Sequence, residues 1–218
     1  ALLEQLPPER RGLPLIVSVG RFHRVKGMAT IVEAWAGGAL KDRANLLLIG
    51  GNLDAPSADE REQLDLMDAI VPADGRAALG LLLPGHQPND TVARWVAAVR
   101  RGIPGLAAPN GIYVCGSLKE EFGIALLEAM ASGLIVVAPN GGGPATYVEQ
   151  GVTGYLTSTW HVGMLAECRL QLAGDRDQFR AKALYRIQKA DDLLGLPGER
   201  HGEHDVARHD HAEIAMDG

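Results

Sequence analysis

The feature that most constrains this chain is an alternation: short, almost wholly apolar runs separated by longer amphipathic stretches. The apolar runs stand at residues 13–20 (LPLIVSVG), 45–51 (NLLLIGG), 79–85 (LGLLLPG), 111–117 (GIYVCGS), 134–139 (LIVVAP) and 154–158 (GYLTS). A strand with one face in water alternates apolar and polar residues. These runs do not, so each must be covered on both faces. Between them, MATIVEAWAG, SADEREQLDLMDAIV, NDTVARWVAAVRRG, FGIALLEAMASG and GPATYVEQG read as helices. Ser57 followed by Glu60 predicts a capping box, and Gly102 and Gly133 suit helix ends. Strands and helices in alternation, with short connections, predict an α/β domain on a doubly wound parallel sheet. Ligands of such sheets bind beyond the carboxyl ends of the strands, which directs the search to the loops after Gly20, Gly85, Ser117 and Pro139.

Composition bounds the alternatives. The length of 218 residues fits one large domain or a tight pair, with 46% hydrophobic residues to build a core. Aromatics are only 5%, so that core must rest on Leu, Val, Ile and Ala. The net charge of −6, without a long basic block, argues against nucleic-acid binding but says little about a small anion, which needs only two or three local cations. No apolar run approaches the roughly 20 residues of a membrane span. Cys115 and Cys168 sit in apolar stretches and read as reduced thiols of a cytoplasmic protein, with a disulfide as the alternative.

The alternation organises the chain into three parts. Residues 1–12 read as a leader or linker without a signal-peptide pattern, and the initial Ala hints at processing or truncation. Residues 13–190 form the domain. Residues 191–218 are polar and aperiodic and are expected to be a mobile tail. The tail's His201, His204, His209 and His211 lie among acids, but no rigid element orients them, so no metal site is expected there.

Three loops carry candidate chemistry. The first, VGRFHRVKG, lacks both the Gly-x-Gly-x-x-Gly fingerprint of dinucleotide sites, which argues against a dehydrogenase, and the Ser or Thr of a phosphate-binding Gly-Lys-Ser/Thr loop. It places Arg21 and Lys26 at the ligand edge of the sheet, where two cations either clamp a diphosphate or stand as solvated surface charges. In the second, SLKEEFGIALLEAMASG, Glu120 and Glu121 precede a helix start at Gly123. Open amides there attract phosphate, while carboxylates beside an anion need hydroxyls to bind. A sugar nucleotide supplies both; the alternative is acids that merely stabilise the helix dipole, with Glu128 on a solvated face. The third, APNGGGPATYVEQGVTG, is a Gly-rich turn that either lets backbone approach a ligand or is purely structural, with Pro144 at a first helical position.

Together, GRFHRVKG and EEFGIALLEAMASGLIVVAPNGGGPATYVEQGVTGYL resemble the C-terminal domain of family 4 retaining glycosyltransferases, which have the GT-B fold. The resemblance runs from Leu13 to Ala173, and NGGGP and HQPNDTVARW look most like the sucrose synthase and sucrose-phosphate synthase branch. It implies a Rossmann-like domain that binds a nucleotide-sugar donor, UDP-glucose or similar, with no cofactor and no metal. By the same resemblance, Arg21 and Lys26 bind the diphosphate, and Glu120 binds the hexose. Glu128 holds the ribose, and the amides of Gly123, Ile124 and Ala125 meet the distal phosphate. Gly142 and Gly143 lie near the sugar, and Gly85 and Asn89 near the base.

The chain also departs from that pattern. The family's acceptor site and catalytic His belong to an N-terminal domain with no counterpart here, and His23 reads as a local side chain rather than a substitute base. After Lys189 the family's bracing helix is not recognisable. The expectation is a chain that binds donor and transfers little alone, with a non-catalytic nucleotide-sugar-binding module as the alternative.

Overall fold

The computed structural model describes residues 1–158. Among these residues six strands form one sheet: β1 (Pro14–Val19), β2 (Asn45–Ile49), β3 (Leu81–Gly85), β4 (Ala108–Val114), β5 (Ile135–Pro139) and β6 (Gly154–Thr157). The order across the sheet is β3-β2-β1-β4-β5-β6, and every pairing is parallel. The helices are α1 (Met28–Ala36), α2 (Leu40–Arg43), α3 (Ala58–Ile70), α4 (Arg76–Leu79), α5 (Asn89–Arg101), α6 (Ile124–Ala131) and α7 (Pro144–Tyr147). The expected doubly wound, Rossmann-like α/β architecture is therefore present.

Two apolar layers explain why the strands are continuously hydrophobic. Ile16, Leu46 and Leu48 point to one face and pack with Ile31 and Trp35 of α1 and Met67 of α3. Their chain neighbours Leu15, Val17, Leu47 and Ile49 point to the other face and pack with Val96 and Val99 of α5 and Leu126 and Met130 of α6. Successive side chains of a strand face opposite ways, so a sheet covered on both sides needs apolar residues at every position.

The element boundaries differ from the sequence reading where local hydrogen bonds redirect the chain. The fourth strand begins at Ala108 rather than 111, because the turn before it closes early, with the Ile103 amide donating to Ala107 O at 2.9 Å. Only Pro144–Tyr147 of GPATYVEQG is helical: Val148 is extended, and the Glu149 amide turns to Thr153 Oγ1 at 2.9 Å instead of continuing a helix. Residues 1–12, read as a leader or linker, pack onto the domain. Leu6 is fully buried, and Arg10 Nε donates to Asn45 Oδ1 (2.8 Å) while Asn45 Nδ2 returns a bond to Arg10 O (2.9 Å). No helix among the described residues is long and apolar enough to cross a membrane. The tail at 191–218, its histidines and Cys168 lie outside the described residues.

Candidate functional site

Strands β1 and β4 are neighbours, but the chain leaves β1 toward β2 and leaves β4 toward β5, in opposite directions across the sheet. A crevice opens where the winding reverses, at the carboxyl ends of those two strands. The loop after β1 and the loop after β4 both reach into it, and close backbone contact joins them. Gly27 has φ 64° and faces Gly116; a Cβ on Gly27 would stand 2.0 Å from Gly116 O. The Leu118 amide donates to Val25 O at 2.8 Å. A one-turn 3-10 helix, Arg24–Lys26, shapes the first loop, and His23 caps it by accepting from the Val25 amide at 3.2 Å. His23 Nε2 lies 3.3 Å from Asp59 Oδ2, so both ring nitrogens have local partners.

Across this junction Lys26 Nζ meets Glu120 Oε2 at 2.7 Å. The Ser117 hydroxyl donates to the same oxygen at 2.9 Å. Arg21 is exposed and its side chain makes no hydrogen bond or ion pair among the described residues, so its guanidinium is available to a ligand. Helix α6 starts at Gly123, whose φ of 84° turns the chain into the helix without a side-chain cap. The first amides bonded back to this turn are those of Leu126 and Leu127, both to Gly123 O at 3.0 Å. The amides of Gly123, Ile124 and Ala125 precede them and have no intrahelical acceptor, which leaves an anion-attracting helix start.

The third loop braces the second from behind. The Gly143 amide donates to Glu120 O at 3.0 Å, and a Cβ on Gly142 would lie 2.2 Å from that carbonyl oxygen. Tyr147 Oη donates to Phe122 O at 2.6 Å; burial, with the Cys115 and Glu120 charges, pushes its phenol up to about 12, so it remains a donor at neutral pH. Burial likewise pushes up the Cys115 thiol and the Tyr113 phenol on the cleft floor.

Arg21, Lys26, Glu120, Gly123, Ile124 and Ala125 line one cavity of about 510 Å³. A second, of about 350 Å³, shares Arg21, Ile124 and Ala125 with it and continues past Glu128 to His86 and Asn89. The arrangement offers cations and open amides at the centre, with a carboxylate on either side. Its chemistry suits an anionic group flanked by two hydroxyl-bearing ones.

The model of the glycosyl transferases group 1 family matches residues 13–175 of this chain. The chain belongs to that family. It is 30% identical over 203 residues to the sucrose synthase of Acidithiobacillus caldus, an alignment covering 88% of this chain and 24% of that protein. The chain thus spans about a quarter of that relative's length. Among solved structures it is similar to the C-terminal domain of the group 1 glycosyl transferase LpcC from Francisella tularensis, with TM-score 0.64, 20% identity, and coverage of 87% of this chain and 92% of that one. It is also similar to Anabaena HepE, solved in complex with UDP and glucose, with TM-score 0.61, 19% identity, and coverage of 84% of this chain and 48% of that one. At such identities the likeness speaks to the fold.

Within this glycosyl transferase group 1 domain, the cavities gather most of the residues singled out from the sequence. Arg21, Lys26, Glu120 and the residues 123–125 share the first, and Glu128 and Asn89 line the second. Gly85 ends β3 beside Leu53, and its carbonyl accepts from the Gly50 amide at 3.0 Å. Gly142 and Gly143 support the Glu120 backbone rather than line the cavity. Sequence reasoning passed over Ser117. Its signal was the Ser-x-x-Glu spacing to Glu120, the same spacing that marks the capping box at Ser57.

Proposed function

We propose that this chain is the nucleotide-sugar-binding part of a retaining glycosyltransferase that moves a hexose from a donor such as UDP-glucose to an acceptor held by another domain. The observation that carries the reading is the meeting, in one cleft, of Arg21 and Lys26 with the open amides of Gly123, Ile124 and Ala125. In this reading those groups hold the diphosphate, and Arg21 and Lys26 offset charge on the departing nucleotide, work that a metal performs elsewhere. Glu120 accepts hydrogen bonds from the hexose and Glu128 from the ribose. The base lies toward Asn89 and Gly85, and Gly142 and Gly143 keep the Glu120 loop against the sugar. Retention follows from a front-face reaction: a donor phosphate oxygen takes the acceptor's proton while the bond to the leaving phosphate breaks on the same face. The structural relative HepE, solved in complex with UDP and glucose, supports a UDP-linked donor.

The test is calorimetry of the 218-residue chain with UDP. Lys26→Ala removes one partner of a charge-assisted contact worth about 1.5–3 kcal/mol and is expected to weaken UDP by roughly ten- to a hundredfold. Glu128→Ala is expected to weaken UDP and UDP-glucose alike. Unchanged UDP affinity in the Lys26 variant overturns the diphosphate clamp.

A further inference from the structure

We propose that the Lys26–Glu120 ion pair makes the cleft discriminate a sugar-bearing donor from the bare nucleoside diphosphate left after transfer, with Glu120 as the specificity-determining residue. The inference rests on the donor-site reading above and concerns what the pair does to the two ligands that site would meet.

A carboxylate beside a phosphate site weakens anion binding unless something compensates it. Glu120 is such a carboxylate: it lines the same cavity as Arg21, Lys26 and the α6 amides. It is not free to withdraw. Its side chain is 14% exposed, the Ser117 hydroxyl holds Oε2 at 2.9 Å, and the Gly143 amide holds its carbonyl at 3.0 Å. Lys26 is tied to the same junction through the Leu118–Val25 backbone bond. The ammonium stands 2.7 Å from the carboxylate, so a ligand entering the cleft meets the pair already formed.

The two ligands then meet different electrostatics. A bare diphosphate must share the Lys26 ammonium with Glu120, and its terminal phosphate adds negative charge beside a carboxylate to which it donates nothing. A sugar diphosphate has less charge on the distal phosphate, and its hydroxyls donate to the carboxylate. The three described contacts of the Glu120 carboxyl group all fall on Oε2, which leaves Oε1 to accept them. One carboxylate thus penalises the by-product and rewards the donor, which is specificity by an introduced repulsion as well as an attraction.

The experiment is calorimetry of the 218-residue chain with UDP and with UDP-glucose, for the wild type, Glu120→Gln, Glu120→Ala and Glu62→Gln. Both Glu120 variants are expected to bind UDP about three- to tenfold more tightly, while the preference for UDP-glucose over UDP falls by about tenfold or more. The alanine variant covers the case in which a glutamine carbonyl keeps Lys26 engaged. Glu62 is exposed on α3 and lines neither cavity, so it controls for general loss of negative charge. Its glutamine variant is expected to change UDP affinity less than about twofold. UDP affinity unchanged or lowered in both Glu120 variants, or an equal gain in the Glu62 variant, overturns the proposal and leaves the donor site standing. A wild-type chain that binds neither ligand removes the donor-site reading and this inference with it.

Discussion

Gly27 has φ 64° and ψ 30°, and a methyl group added to it would stand 2.0 Å from the Gly116 carbonyl oxygen. Gly116 is constrained from its side too, though less tightly: a Cβ there would lie 2.8 Å from Gly27 O. This glycine pair lets the β1 and β4 loops touch, and so brings Lys26 to Glu120. Gly27→Ala must push the loops apart and strain a left-handed backbone. It is expected to lower stability by about 1–3 kcal/mol in urea unfolding and to weaken UDP by about tenfold in calorimetry. Neither glycine stood out in the sequence. A lone Gly after a lysine has no signature when its partner is some 90 positions away, whereas Gly123 was legible because it opens a helix.

At the scale of elements, the Ser57–Glu60 box was legible and forms in full. The Glu60 amide donates to Ser57 Oγ at 3.3 Å, and Glu60 Oε2 accepts from the Ser57 amide at 2.9 Å. Glu60 Oε1 also accepts from the Asn52 amide at 2.9 Å, and these backbone bonds hold its carboxyl below the ordinary range. That contribution is present above the unfolded carboxylate range and is lost as pH falls through the folded value. Ser57→Ala is expected to cost about 0.5–2 kcal/mol, measured by urea unfolding at neutral pH. The same spacing at Ser117–Glu120 forms no cap. There the serine lies in the loop after β4, no helix begins before Gly123, and the hydroxyl bonds the carboxylate instead. The local pattern is identical; what the serine meets is decided by the loop's path.

At the scale of the molecule, two ionisable groups are built into the floor between the apolar layer and the cleft. Cys115 and Tyr113 are buried, and desolvation pushes both above their ordinary values. A group whose folded value is raised contributes stability that is fully present below its unfolded value and is lost as pH rises toward the folded one. The unfolding free energy is therefore expected to hold level from about pH 7 to about pH 8.5 and to decline above, as the ordinary thiol and phenol ranges are passed. Tyr113→Phe should make that decline shallower in a pH series of urea unfolding curves. Packing at this scale also draws in residues 1–12. Their few apolar side chains carry no periodicity, yet Leu3 and Leu6 complete the layer under α5 and β4.

By itself the sequence determined the architecture, because covering a sheet on both faces demands apolar residues at every strand position, and six such runs alternating with amphipathic helices admit few other arrangements. It also determined which loops would meet, since a doubly wound sheet places them at the carboxyl ends of its strands. Only the tertiary structure decided that Lys26 and Glu120 pair directly, that Ser117 holds the carboxylate, and that Gly142 and Gly143 brace a backbone. The contacts of Lys26 and Gly143 with Glu120 join loops from different strands, and the Ser117 bond, though local, depends on the path its loop takes. Their distances of two to three ångströms depend on how the strands are stacked side by side, which no local pattern of residues records.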